Sequence, residues 1–557
     1  MRKILAALLV LAMVLSIVPA VMAEGDEVIT VTVFKGDPGN QPTEDNKIYK
    51  KIEEELGIKF EFEFLAGNLD ETLGIKISDR DNLPDLFDGS NSAEMLEDAG
   101  VLIDLLPYIS EEKTPNLYKH IYTDDRIKQL VDEDGKLYII PNYGIYYNGE
   151  IPAYNGPAFH IQKQVLAFNN YVAPKTIDEY FDLIERFVAA NPTTEDGTPY
   201  TGFAILCEGW RHFCLINPVQ HLIGRPNDGE VVVDVNDPNY YTETFIDKPY
   251  AKPYYKKLNE MFKKGLINQD TFAMNYDQYI AALSNGTVVG MFDQGWDFGD
   301  ATASLNNAKK YENTYVALPL LYDADDIEGI ALPTENWKVE EHYINGTVMN
   351  KDRGAGISIS CKYPERMIEL YETLLSDEWQ KLLQWGIEGE DWYTDENGRM
   401  NMTTEQYLNR SNSDWQRANT ANAIWTSLPK KQGIMDDGNA WSPDQQAEIK
   451  QASMSDYDKD FLAKCGKGDL IEFFGPVTPL APYGEAWEIN KGPIQDDVNE
   501  FLRIQDEQLP GIIMAKDDAE FDALWDAFVA QVAPYGEIYG KFMNEEILKL
   551  VALVTGE

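Results

Sequence analysis

A chain of 557 residues sets 94 Asp and Glu against 47 Lys and Arg, a formal charge of −47, which repels nucleic acid and anionic membrane surfaces and excludes both as charge-recognised partners. Four cysteines in this length exclude a disulfide-built scaffold, and the length itself predicts two lobes in place of one core. With carboxylates this abundant, two that fall near each other say nothing about glycosidase chemistry.

The chain opens Met1-Arg2-Lys3 and runs apolar from Ile4 to Val18, broken by Ser16, before Val21 and Ala23 supply the small residues of a cleavage site. The run is short of the ~20 residues a spanning helix needs, so residues 1–23 read as a secretory signal. The mature protein is expected to begin near Glu24, and with no cysteine there, no lipid anchor is expected. Ile29, Val31 and Val33 then alternate with threonines as a strand, Gly36-Asp37-Pro38-Gly39 turns, and Ile48, Ile52 and Leu56 line a helix that Gly57 stops. Ile58, Phe60, Phe62 and Phe64 alternate again, so the unit is βαβ and the sheet parallel.

Asn82-Leu83-Pro84-Asp85-Leu86-Phe87-Asp88 follows, and further on comes Asp134-Gly135-Lys136-Leu137-Tyr138-Ile139-Ile140-Pro141. Tyr143, Tyr146, Tyr147 and Tyr154 come directly after it, a ligand-facing cluster or a Tyr-rich packing loop. Thr176 caps a helix whose face is Tyr180, Ile184 and Phe187, with Glu179 completing a capping box. Cys207, His212, Cys214 and His221 offer four metal-ligand types, but their spacing matches neither zinc pattern. A Cys207–Cys214 disulfide and two free thiols both remain open. Between these cysteines, Trp210 suits a sugar face and Arg211 would suit a carboxylate.

The stretch Gly265–Ala301 is the most informative. Tyr276, Tyr279, Ile280 and Leu283 share one face, predicting a helix from about Asn275 to Ser284 that Asn285-Gly286 ends. Thr287–Phe292 then reads as a buried strand delivering Asp293, Gln294, Trp296 and Asp297 to its carboxyl end, where open α/β sheets hold ligands. An aromatic ring among carboxylates and amides suits a sugar, whose C–H face stacks while its hydroxyls find partners. Further on, Gly356–Ser360 reads as a strand, Pro364 starts a helix, and Asp395–Arg399 is a turn and not a calcium loop. Phe521, Trp525, Phe528 and Val532 share the face of a closing helix.

The helix, small-residue turn and Gly290-Met291 strand before Trp296 resemble the extracellular solute-binding proteins of carbohydrate ABC importers, the maltose-binding-protein-like family. Pro84-Asp85-Leu86, Asp134–Pro141, Ser376-Asp377-Glu378, Trp385–Tyr393 and Glu520–Phe528 are similar to further signatures of that family, in its long Gram-positive branch. The resemblance implies an α/β fold of two lobes, a type II Venus flytrap with a hinge and a central ligand cleft. Lobe 1 would be residues 24–142 and 315–389, and lobe 2 residues 143–314 and 390–557.

The resemblance further implies delivery of an oligosaccharide to an ABC permease and its ATPase by a monomer that needs no cofactor or metal. Candidate substrate-binding residues are Asp37, Asp88, Asn91, Tyr146, Tyr147, Trp210, Arg211, Trp296, Asp297 and Trp441. No H-E-x-x-H, G-x-S-x-G or phosphate loop occurs, so no catalysis is expected. The alternatives are a secreted glycoside hydrolase or lyase, whose carboxylate chemistry leaves no compact motif, and a peptide-binding ABC component.

Overall fold

The computed structural model describes residues 28–555 apart from 123–126, 128–129, 133, 143, 148–155, 324–326, 328–352, 411, 476–481 and 485. The expected signal, Tyr143 and Tyr154 lie outside the described residues. So do the side chains of Asn91, Tyr146 and Tyr147.

In chain order, the strands of the two main sheets are β1 (Ile29–Lys35), β2 (Ile58–Phe64), β3 (Leu86–Asp88), β4 (Ile139–Pro141), β5 (Pro157–Gln162), β6 (Thr201–Ala204), β7 (Val288–Gln294), β8 (Tyr315–Leu318) and β9 (Gly354–Ile357). The chain divides into two compact units, Met1–Ile145 with Lys351–Lys431 and Tyr146–Asn350 with Gln432–Glu557. Two of the crossings between units run along the short strands Gly144–Tyr147 and Lys430–Gly433.

The first unit is built on a sheet ordered β2-β1-β3-β9-β4. β1 runs parallel to β2 and β3, and β9 is antiparallel to β3 and β4. The βαβ expectation is met. Alternating residues of β1 are buried at its start, and the Asn46 side chain accepts the Ile48 and Tyr49 N–H groups at the start of helix Lys47–Leu56. Gly57 ends that helix at φ 62°, where a β-carbon would be strained. The return strand falls two residues earlier than expected, because Gly354 (φ 143°) lies over Ile140: a β-carbon there would meet the Ile140 carbonyl at 2.0 Å.

The unit boundaries also differ from expectation. β8 pairs antiparallel with β5 in the second unit, so the return to the first unit comes later than residue 315. Residues 390–431 stay with the first unit. There Arg417 O accepts the Thr43 N–H at 3.0 Å, and Asn46 Nδ2 bonds the Arg417 and Thr420 carbonyls at 2.8 Å.

The second unit holds the sheet β8-β5-β7-β6, with β7 antiparallel to β5 and parallel to β6. Phe159, Tyr180, Phe203, Tyr254 and Phe292 fill its core. Thr176 caps helix Ile177–Ala190, but Glu179 reaches the Lys175 N–H at 2.7 Å, so the expected reciprocal box is only half formed. The closing helix runs from Asp518 to Thr555, well beyond the predicted stripe. Asn259 Nδ2 bonds the Ile513 and Ala515 carbonyls at 2.9 and 2.6 Å and pins the turn before it. Among the described residues no helix is long and apolar enough to cross a membrane.

Candidate ligand-binding site

Helix Tyr276–Asn285 begins in a full capping box between Asn275 and Gln278 and ends at Gly286, φ 78°. β7 outlasts its predicted end by two residues, which corrects the expectation that Asp293 and Gln294 face a ligand: both are buried. The Asp293 carboxyl accepts the Tyr279 hydroxyl at 2.8 Å and its neighbour's Gln294 N–H at 2.7 Å, with the Cys214 thiol 3.6 Å away. Burial, reinforced by the nearby Asp297 charge, pushes Asp293 up to about 8. It is a neutral acid beneath the site.

The chain then turns, Asp297 N bonding Gln294 O at 2.9 Å, and presents Trp296 to solvent. Gln294 Oε1 accepts the Trp296 indole N–H at 2.7 Å and fixes the ring's orientation. Trp210, from the turn Gly209–His212, stacks on it with an offset, ring centroids 5.8 Å apart and planes 15° from parallel. Phe213 extends the same apolar surface, 5.9 Å from Trp210. Trp210 and Trp296 are 57% and 46% exposed. An indole floor of this kind fits the C–H face of a pyranose.

Arg211 is clamped at the edge of that floor. Its Nε bonds both carboxylate oxygens of Asp297 at 2.9 and 3.2 Å. Its guanidinium carbon lies 4.4 Å from the Trp210 centroid and 3.9 Å from that of Tyr276. The Tyr276 hydroxyl donates to Asp297 O at 2.6 Å. Both Nη groups of Arg211 lack a protein partner among the described residues, which leaves donors directed at neither side chain nor backbone. Asp297, expected to contact the ligand, is itself 2% exposed and taken by Arg211, and burial outweighs Arg211 to lift its carboxyl above its usual range.

In the first unit, Asp37 is exposed and accepts the Ser90 hydroxyl at 2.8 Å, while the Ser90 N–H bonds Asp88 at 2.9 Å. Gly36 permits this junction, since a β-carbon would sit 2.8 Å from that of Ser90. Asp88 is not a free ligand group. It is 4% exposed and paired with Lys35, and it accepts the Ser427 hydroxyl at 2.6 Å. Beside it, Lys430 donates to the Asn142 carboxamide oxygen, and burial together with Lys35 and Arg353 brings its ammonium down to about 7.

The remaining candidates separate. Trp441 is 4% exposed and offers no open ring face. Asn91 lies in the short 3-10 turn after β3, and Tyr146 and Tyr147 lie on the crossing strand. Cys207 and Cys214 are free thiols. His221 is buried with its ring 5.6 Å from those of Phe159 and Phe292 and pushed down to about 4, while His212 faces Glu230 at 3.5 Å. No group of three metal-ligating side chains forms among the described residues. The Asp395 carboxylate is taken by the Asn397 and Arg399 N–H groups of its own turn.

Two α/β units, each with a mixed sheet clad in helices, define the two-domain substrate-binding class of fold. The chain belongs to the bacterial extracellular solute-binding protein family, whose model matches residues 47–385. No curated protein matches the chain. In fold it is similar to an HMO-binding, ABC-transporter-associated solute-binding protein from Bifidobacterium longum infantis, with TM-score 0.61 at 16% identity over 95% of this chain and 100% of that one. It is likewise similar to the S. pneumoniae ABC-transporter substrate-binding protein FusA, as an EF-hand mutant with fructo-nystose (TM-score 0.63, 16% identity, 95% and 100% covered). The alginate-binding protein AlgQ2 is a third (TM-score 0.58, 14% identity, 94% and 98% covered).

Proposed function

We propose that this protein is exported, captures an oligosaccharide and delivers it unchanged to an ABC permease, acting as a monomer. The observation that carries the reading is the exposed Trp210–Trp296 floor flanked by Arg211, whose Nη donors are unpartnered among the described residues. Stacking on the floor supplies affinity, and Arg211, braced by the buried Asp297 carboxylate, supplies the polar contacts that orient hydroxyls. The sugar ligands for which its structural neighbours are named support the same ligand class. The burial of Asp293 beneath the floor supports capture without catalysis, because a carboxyl sealed from solvent is poorly placed to protonate a leaving group.

Calorimetry against an oligosaccharide panel tests this, with chromatography of the recovered sugar. Stoichiometric binding, intact ligand and a smaller radius of gyration by small-angle scattering are expected. Release of new reducing ends or unsaturated products would make the protein an enzyme. Binding of peptides in place of sugars would make it a peptide carrier.

A further inference from the structure

The two central residues of the short turn Gly209–His212 are Trp210 and Arg211, and one imidazole ties that turn at both ends. His212 Nδ1 lies 3.0 Å from the Gly209 carbonyl oxygen, so the ring joins the last residue of the turn to its first. On the other side of the ring, Nε2 stands 3.5 Å from Glu230 Oε1. Glu230 is a fixed anchor. Gln220 Nε2 bonds the carbonyls of both its neighbours, Gly229 and Val231, at 2.8 Å. Glu230 Oε2 accepts the hydroxyl of Tyr539, from the closing helix, at 2.9 Å. Gln220 and Tyr539 are both buried.

Both ring nitrogens of His212 thus meet acceptors. A neutral imidazole has one N–H and one lone pair, so it donates to Gly209 or to Glu230 but not to both. The imidazolium donates to both. The surrounding charges favour it. Burial opposes a charge on His212, but Glu230, Asp506 of helix Gln495–Ile513 and the Gly209 carbonyl outweigh it and hold the ring above its ordinary 6.5. Burial likewise opposes a charge on Glu230, yet His212, Lys491 and Tyr539 bring it down to about 2. Arg211 spends its charge on Asp297, and the Cys207 thiol, which also feels Asp506, is pushed by burial up to about 12 and stays neutral.

We propose that His212 and Glu230 are positioning residues of the ligand site: the imidazolium holds the turn so that Trp210 stacks on Trp296 and Arg211 reaches Asp297, and loss of its proton slackens the turn and weakens capture. This rests on the oligosaccharide reading above, with the floor as the place where the sugar binds. The charged tie is complete below the elevated His212 value and is lost as pH rises through it, so sugar affinity falls toward alkaline pH. By linkage, a sugar that binds the ordered turn takes up a proton there.

Two measurements on the ligand-free full chain read the turn alone. Imidazole NMR should show one of the five histidines with a midpoint above 6.5, absent from His212→Asn and lowered in Glu230→Gln. Hydrogen exchange, corrected for its intrinsic pH dependence, should show the amides of residues 208–213 losing protection between pH 6 and pH 9. Calorimetry with gluco-, fructo- and manno-oligosaccharides over the same range reads capture, and the wild type should lose about 10-fold in affinity, the scale of one hydrogen bond to a charged group. In Glu230→Gln the amide can donate to a neutral Nε2 while its oxygen keeps Tyr539, so at pH 9 this variant should bind about 10-fold tighter than the wild type. His212→Asn can keep Gly209 but not Glu230, and should bind weakly at every pH. A merely structural pair would lower the stability of both variants and leave their pH profiles of binding parallel to that of the wild type. That result, or a His212 that titrates below 6.5, would overturn the proposal. A turn that loosens with pH in a chain that binds no sugar would overturn the oligosaccharide reading and leave the His212 tie standing.

Discussion

The indole rings of Trp210 and Trp296 lie 15° from parallel with centroids 5.8 Å apart, an offset stack to which two distant segments each contribute one ring. Each ring is about half exposed, and truncating either removes contact area without opening a core cavity. Trp296→Ala is expected to weaken sugar binding about 5- to 150-fold, on the scale of ~1–3 kcal/mol for a ring stacked on an aromatic face. The urea midpoint should barely move. Calorimetry and denaturation of the same sample check this, and intact affinity with a lowered midpoint would make Trp296 a packing residue.

Arg211→Lys keeps the charge but not the planar fork held between two rings. A lysine cannot bond Asp297 in that geometry while also directing donors outward. We expect about 10-fold weaker sugar binding, on the scale of one hydrogen bond to a charged group. An affinity equal to wild type would remove Arg211 from the binding machinery.

Asp293 makes stability depend on pH. Its folded value of about 8 stands above its ordinary 3.8, so between those values the folded chain holds a proton that the unfolded chain has released. Its contribution is full below pH 4 and is lost as pH rises through 8. Asp293→Asn, which mimics the neutral acid, should flatten the stability profile over that window. Urea titrations at pH 5, 6, 7 and 8 measure it, and an identical slope in both proteins would show that Asp293 is ionised in the fold.

Gly290 lies under the Tyr180 hydroxyl, which donates to His160 O at 2.6 Å. A β-carbon at Gly290 would stand 2.2 Å from that oxygen and 3.0 Å from Ile184. Gly290→Ala is therefore expected to destabilise by about 1–3 kcal/mol, the cost of overpacking a core. Adding Tyr180→Phe should recover part of the loss, which a double-mutant cycle in urea would show. Additive losses would mean that Gly290 is needed for another reason.

Where periodicity and capping chemistry act locally, the fold was legible. Asn275 and Gly286 bound their helix as read, and the first βαβ unit stands where its alternation put it. The end of β7 was misjudged because Asp293 and Gln294 are polar. Only the Tyr279 hydroxyl and the Trp296 indole, partners invisible in the strand itself, make them interior. Lys35 gave one faint signal: the apolar alternation of β1 lapses just before it, where Phe34 follows Val33 directly. Nothing near Ser427 announces its bond to Asp88, and nothing near Lys430 announces Asn142, because those partners come from remote stretches of chain.

The bond between Lys35 and Ser427 joins residues 392 positions apart. The first unit therefore cannot be finished while its amino-terminal half is being made. At ribosomal rates of about 5–20 residues per second, β1 and β3 wait roughly 20–80 s for Ser427 to arrive. Until residues 354–357 are made, for most of that interval, the sheet lacks β9 as well, and β3 and β4 present open edges of the kind that pair with other chains. Such a half-built sheet is a client for a holding chaperone, and an exported chain would cross the membrane before it could seal.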